Sequence, residues 1–105
     1  MPTNHLEFWY DQNHMGGLRI IDYSKMIIYG SDPKEPYWCV TFDCLKQKTK
    51  TLIVDFRNKK THHGKTILSS CYEDRNMTLH WEDGNKWRRL KQDPRILLNK
   101  VKSLL

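Results

Sequence analysis

Basic side chains fall in three short runs along this chain. Lys46, Lys48 and Lys50 form the first and Lys59, Lys60, His62, His63 and Lys65 the second. The third is Lys86, Arg88, Arg89 and Lys91, with Trp87 among them. Cationic grooves with exposed rings bind single-stranded nucleic acid, because phosphates follow the charge and bases stack on aromatic faces. The pattern makes Lys59, Lys60, Lys65, Lys86, Arg88 and Arg89 the expected phosphate contacts, with His62 and His63 beside them. Trp87 is the expected stacking ring, and Trp9, Tyr29 and Tyr37 could add to it. The competing expectation is that the tryptophans are core and the lysines solvated loop residues, since Trp is usually well buried.

Other chemistries fit less well. His62 and His63 invite a metal, with His14, Cys39 or Cys71 as further donors, but adjacent residues on a strand face opposite sides. Cys39 and Cys44 also differ in parity and there is no Cys-x-x-Cys, so neither a metal site nor a cofactor is expected. Gly64-Lys65-Thr66 resembles the tail of a phosphate-binding loop, yet the glycine such a loop requires five positions earlier is Lys59. Ser69-Ser70 lacks the glycine-flanked turn that exposes a nucleophile. The carboxylates Asp43, Asp55, Glu73 and Asp74 are separated, with no base paired to any of them. The expectation is a binding protein and not an enzyme.

The whole chain carries 18 Lys and Arg against 12 Asp and Glu, a formal charge of +6 that favours acidic partners without naming one. Four Trp, five Tyr and three Phe supply a packed core and speak against disorder. A length of 105 residues supports a single domain over 1–105. Such a domain buries about two-thirds of its unfolded surface. Three cysteines, an odd number, and no secretory signal near Met1 point to free thiols in a reducing intracellular compartment, cytoplasm or nucleus. No apolar run approaches the roughly 20 residues that a membrane-spanning helix needs.

Alternation of apolar and polar residues defines the elements that must position these groups. Met77, Leu79 and Trp81 alternate with Thr78, His80 and Glu82, and Asp83-Gly84 then marks a turn. With Gly84 left-handed in a three-residue loop, Leu79 lies opposite Trp87; a two-residue loop would set Lys86 against Trp81. Upstream, strands are expected at 5–10, with Leu6, Phe8 and Tyr10 on one face, and at 18–21 and 26–29. Ile20-Ile21 and Ile27-Ile28 leave the buried face of the latter two open. Asp11 to Gly17 reads as a loop, and so does 31–36, because neither Pro33 nor Pro36 can donate to a ladder. Trp38, Val40, Phe42 and Cys44, then Leu52, Val54 and Phe56, give the strongest strand pair. A further strand, 66–72, follows the basic loop 58–64. In an up-and-down meander the connections at 58–64 and 82–85 share one end of the sheet, and 46–50 lies at the other.

The period changes near the end of the chain. Asp93-Pro94 starts a helix at about 94–105, since Asp accepts free backbone N–H groups and Pro suits the first helical position. Leu97, Leu98, Val101, Leu104 and Leu105 recur at helical spacing and Arg95, Lys100 and Lys102 fill much of the rest, the pattern of a helix laid over a sheet. The fold class is therefore mainly β (α+β): a strongly bent antiparallel sheet or partly open barrel of about seven or eight short strands with one C-terminal amphipathic helix. In element order, over nearly the whole chain, this resembles the pleckstrin-homology-like roll. The resemblance implies a fold and no ligand. Domains of that kind that bind phosphoinositides usually carry basic residues in the first loop, and here Asp11 to Gly17 offers only His14, with Arg19 after it. Two readings of function follow. The first is binding of RNA or single strands through the Lys/Arg patch, because no recognition helix is evident. The alternative is a protein-interaction module or accessory subunit that recruits a partner on a free sheet edge or an aromatic patch.

Overall fold

A computed structural model of the chain describes residues 5–14, 17–46, 51–91 and 93. Eight strands follow one another: β1 (Leu6–Asp11), β2 (Gly17–Asp22), β3 (Ile27–Asp32), β4 (Glu35–Lys46), β5 (Thr51–Asp55), β6 (Ile67–Glu73), β7 (Thr78–Trp81) and β8 (Lys86–Arg89). Each pairs antiparallel with the next, and β8 returns to β1 through Trp9↔Arg89, Tyr10↔Arg88 and Asp11↔Trp87. The expected mainly β barrel is present, and it closes fully where a partly open one was expected. Closure leaves no free edge for an extended peptide to join among the described strands. The helix expected over 94–105 and the connection 47–50 lie outside the described residues. Among those described, no helix is long and apolar enough to cross a membrane.

Turn chemistry sets the register. Gly84 has φ +91°; its amide donates to the Trp81 carbonyl at 2.9 Å, and the Trp81 amide donates to the Asn85 carbonyl at 2.9 Å. The loop is three residues long and Leu79 faces Trp87, as the alternation requires. Asp22 turns β2 into β3 by accepting at Oδ1 the Ser24 amide at 3.0 Å, the Ser24 hydroxyl at 2.7 Å and the Lys25 amide at 3.2 Å. The 31–36 loop is shorter than its prolines imply, with only Pro33 and Lys34 between β3 and β4. A register shift between Gly30 and Asp32 places Pro36 in an irregular stretch, where its missing donor is tolerated.

Alternation then decides what the barrel encloses. Ile21, Ile28, Val40, Phe42, Leu52, Val54 and Leu79 are buried in its middle, so Ile20 and Ile27 are the outward members of their pairs. Eight strands leave an interior just wide enough for side chains, or for one small ligand where side chains are withheld. One end is filled. Tyr23 meets Phe42 edge-on at 5.5 Å, its hydroxyl bonds to that of Tyr72, and the Tyr72 hydroxyl donates to Glu7 Oε1 at 2.6 Å. Burial, then the nearby Glu7 carboxylate, push the Tyr23 hydroxyl far above its usual pKa and keep it protonated. At the other end the inward positions are charged, and there the interior opens.

Candidate functional site

Strand parity puts Arg19 inside β2, Asp11 inside the end of β1 and Asp32 inside the end of β3, three neighbouring strands converging at one end of the barrel. Arg19 is 1% exposed. Its Nη2 donates to Asp11 Oδ2 at 3.1 Å and stands 2.9 Å from Asp32 Oδ1. Its Nη1 donates to the carbonyls of Leu18 at 3.1 Å and Ser31 at 3.2 Å. The guanidinium carbon lies 4.8 Å from the Trp38 ring centre and 5.5 Å from that of Trp87, within cation–π range of both. Gly30 makes room for this arrangement: a Cβ there would come within 2.0 Å of Trp38 Cζ2.

Lys59, from the connection between β5 and β6, is buried in the same cluster. Its Nζ donates to Thr61 Oγ1 at 2.6 Å and lies 3.5 Å from Asp32 Oδ2 and 5.4 Å from the Trp38 ring centre. Two cations thus face two carboxylates, and the cluster is close to neutral. Burial raises the Asp32 pKa, but Arg19, the Trp38 indole N–H at 3.0 Å and Lys59 more than offset it, holding the carboxyl below its ordinary range. Arg19 Nε and Trp81 Nε1 are buried donors with no hydrogen-bond partner.

Beside the cluster lies an aromatic-walled cavity of about 220 Å³. Phe56 stacks on His62 at 5.0 Å with planes 9° apart and meets Trp81 edge-on at 5.4 Å; Trp81 in turn lies 4.6 Å from Trp87. His14, His63 and Asp83 complete the lip. Connections at this end are tied together by hydrogen bonds. Asn13 Nδ2 donates to Asn85 Oδ1 at 2.6 Å and Asn85 Nδ2 to Asp11 Oδ2 at 3.2 Å, joining the β1–β2 and β7–β8 loops. Glu35 accepts the amides of Lys60 and Thr61, each at 3.0 Å, and the Thr61 hydroxyl at 2.8 Å, joining β4 to the β5–β6 loop. Glu82 accepts the Ser69 amide at 2.7 Å and pairs with Lys65 at 3.1 Å, and these two bonds hold its carboxyl below the ordinary range. A mouth ordered in this way loses less entropy when something enters it.

Of the residues singled out by sequence, Lys59, His62, His63 and Trp87 come together here, with Lys65 alongside through Glu82. The connections 58–64 and 82–85 do share an end, as the meander requires. Trp87, however, points inward, and none of the four tryptophans is more than 5% exposed. No indole offers an outer stacking face, because Trp87 follows the inward parity of Leu79 while Lys86 and Arg88 take the outer positions of β8. Lys59 is held by Asp32 and Thr61 and does not stand free, whereas Lys60 is exposed. Arg89 turns to Glu7 at 3.7 Å and lies 5.7 Å from the Trp9 ring centre, toward the filled end. Tyr29 and Tyr37 do face outward, Tyr37 with 69% exposure, and with Leu18, Ile20 and Pro36 they line a separate apolar groove of about 300 Å³.

Sequence reasoning missed Arg19, Asp11 and Asp32. The signal was their parity: Asp11 lies two residues after Trp9, Arg19 two before Ile21, and Asp32 four after Ile28, all on inward faces. Among the described residues no group of three or more His, Cys, Asp or Glu could hold a metal, and Cys39, Cys44 and Cys71 are free thiols. Comparison of the chain with protein-family models, curated proteins and solved structures finds no match.

Proposed function

We propose that this chain is a non-enzymatic binding protein that takes one small ring-bearing group into the mouth of its barrel. The carrying observation is the aromatic-walled cavity at the end of the barrel that the described side chains leave open, bordered by cross-loop hydrogen bonds. Stability alone does not call for the charged cluster beneath it, since a buried ion pair is often no better than apolar residues of the same volume. A closed eight-stranded barrel is also an architecture that can hold one small ligand. The three free thiols support a reducing, intracellular setting. Calorimetric titration with one- and two-ring aromatic compounds tests the reading. Saturable binding is expected, and His63→Trp, which fills the lip from an exposed position, should weaken it at least tenfold with near-UV circular dichroism unchanged. Titrations in which no compound binds the wild-type chain would end this reading.

A second reading, RNA or single-stranded nucleic acid, is favoured by a separate observation. Lys86 and Arg88 stand exposed at alternate positions of β8, and Tyr10, partly exposed, lies across from Arg88 on β1. Phosphate contact by these cations predicts affinity that falls linearly with salt on logarithmic axes, with a slope smaller by about 1.4 in the double Lys86→Ala, Arg88→Ala variant. If a single-stranded RNA does not bind at low salt, this outer face is not a nucleic-acid site.

A further inference from the structure

The charges already inside the mouth restrict what can join them. Indole faces attract cations, but the faces of Trp38 and Trp87 are within reach of Arg19, at 4.8 and 5.5 Å, and Trp38 is also 5.4 Å from the Lys59 ammonium. An ammonium ligand would find these two indole faces already within reach of protein cations and gain little from them. A carboxylate fares no better. The terminal nitrogens of Arg19 are committed to Asp11, Asp32 and two backbone carbonyls, and Lys59 to Asp32 and Thr61. An incoming anion would have to break these bonds and face Asp11 and the lip residue Asp83. Uncharged chemistry remains. The walls of Phe56, Trp81 and Trp87 suit a flat ring, and about 220 Å³ is below the range for drug-sized ligands, so one or two rings fit and an extended chain does not. Two lining residues, Arg19 and Trp81, also carry donors that are fully buried and without a partner, and a small shift of either side chain on ring entry would turn its donor to an acceptor atom of the ring.

We propose that the mouth selects an uncharged planar ring bearing hydrogen-bond acceptors, the chemistry of a nucleobase, and rejects organic cations and carboxylates of the same size. This rests on the mouth being the binding site. The ring could belong to a free nucleoside or to an unpaired base of a strand; the recognition chemistry is the same for both. The test titrates the whole chain in a calorimeter with adenosine, uridine, benzoate, benzyltrimethylammonium and a short single-stranded RNA. At least one nucleoside should bind ten or more times tighter than either charged ring. Trp81→Phe, which keeps a ring and removes the N–H, should weaken the nucleoside at least fivefold and leave neutral 2-methylnaphthalene, which lacks acceptors, within twofold. Tighter binding of the RNA than of the nucleoside, weakened by Trp81→Phe to the same extent, assigns the base to a strand, and tighter binding of the nucleoside assigns it to a free nucleoside. Equal or tighter binding of benzoate or benzyltrimethylammonium would overturn the selectivity while leaving the mouth as a site. If neither the nucleosides nor 2-methylnaphthalene binds, the mouth itself is wrong.

Discussion

At the scale of single residues, Arg19 holds the polar end of the barrel together. It is a charge partner of both Asp11 and Asp32, so replacing it takes the guanidinium away from two buried carboxylates. Breaking a buried pair in this way costs about 3–5 kcal/mol, which is the loss expected for Arg19→Met in urea unfolding at pH 7. The loss should shrink in acid, where the Asp32 carboxyl takes up a proton and no longer needs the guanidinium. Asp32 gives the complementary pH dependence. Its folded pKa lies below its unfolded value, so its stabilising contribution is full above the unfolded value near 4 and is lost as pH falls through the folded one. Asp32→Asn should lower stability at pH 7 and flatten the decline as pH falls below about 4. The decline will diminish without vanishing, because Asp22, Glu35, Asp55 and Glu82 are also held below their ordinary range. An unchanged acid limb in Asp32→Asn would mean the carboxyl is not paired as described.

At the scale of elements, backbone conformation separates two kinds of glycine. A Cβ on Gly84 meets nothing within 4 Å, so Gly84→Ala suffers only the left-handed backbone at φ +91°. That penalty is about 1–2 kcal/mol. Gly30→Ala drives a Cβ into the Trp38 indole, and overpacking of this kind costs typically about 1–3 kcal/mol and should also disturb the mouth. Denaturant midpoints of the two variants, with near-UV circular dichroism on each, check both values. The strands themselves were legible wherever apolar residues occupy one parity without interruption, as in β4, β5 and the β7–β8 hairpin. Which face a strand buries was not legible where the interior turns polar. Leu6, Phe8 and Tyr10 share the outer face of β1, because the barrel encloses Glu7, Trp9 and Asp11. The same inversion hides Arg19, since hydrophobic alternation cannot announce a charged residue that points inward. The mouth was half legible: the meander brought the right loops together, but the basic residues in them drew attention outward, away from the aromatic rings within.

For the whole molecule, the decisive event is closure. Seven of the eight ladders join neighbours in sequence, and only β1 with β8 joins residues about 80 positions apart, through three pairs. Bringing distant segments together loses loop entropy before any contact repays it, so hairpins such as β3–β4 should form ahead of the seam. Substitutions then divide by position. Tyr10→Ala at the seam should raise the unfolding rate and leave the folding rate nearly unchanged, whereas Val40→Ala within β3–β4 should slow folding. Stopped-flow chevron plots of the two variants read this directly, and a Tyr10→Ala variant that slows folding as much as Val40→Ala would place closure early. The order matters for binding because the mouth is assembled across the seam: Asp11 on β1 meets Trp87 on β8 and accepts Asn85. Without closure there is no cavity to occupy. A ligand of the mouth should therefore slow unfolding and leave the folding rate as it was, because it stabilises contacts made only after the transition state has passed.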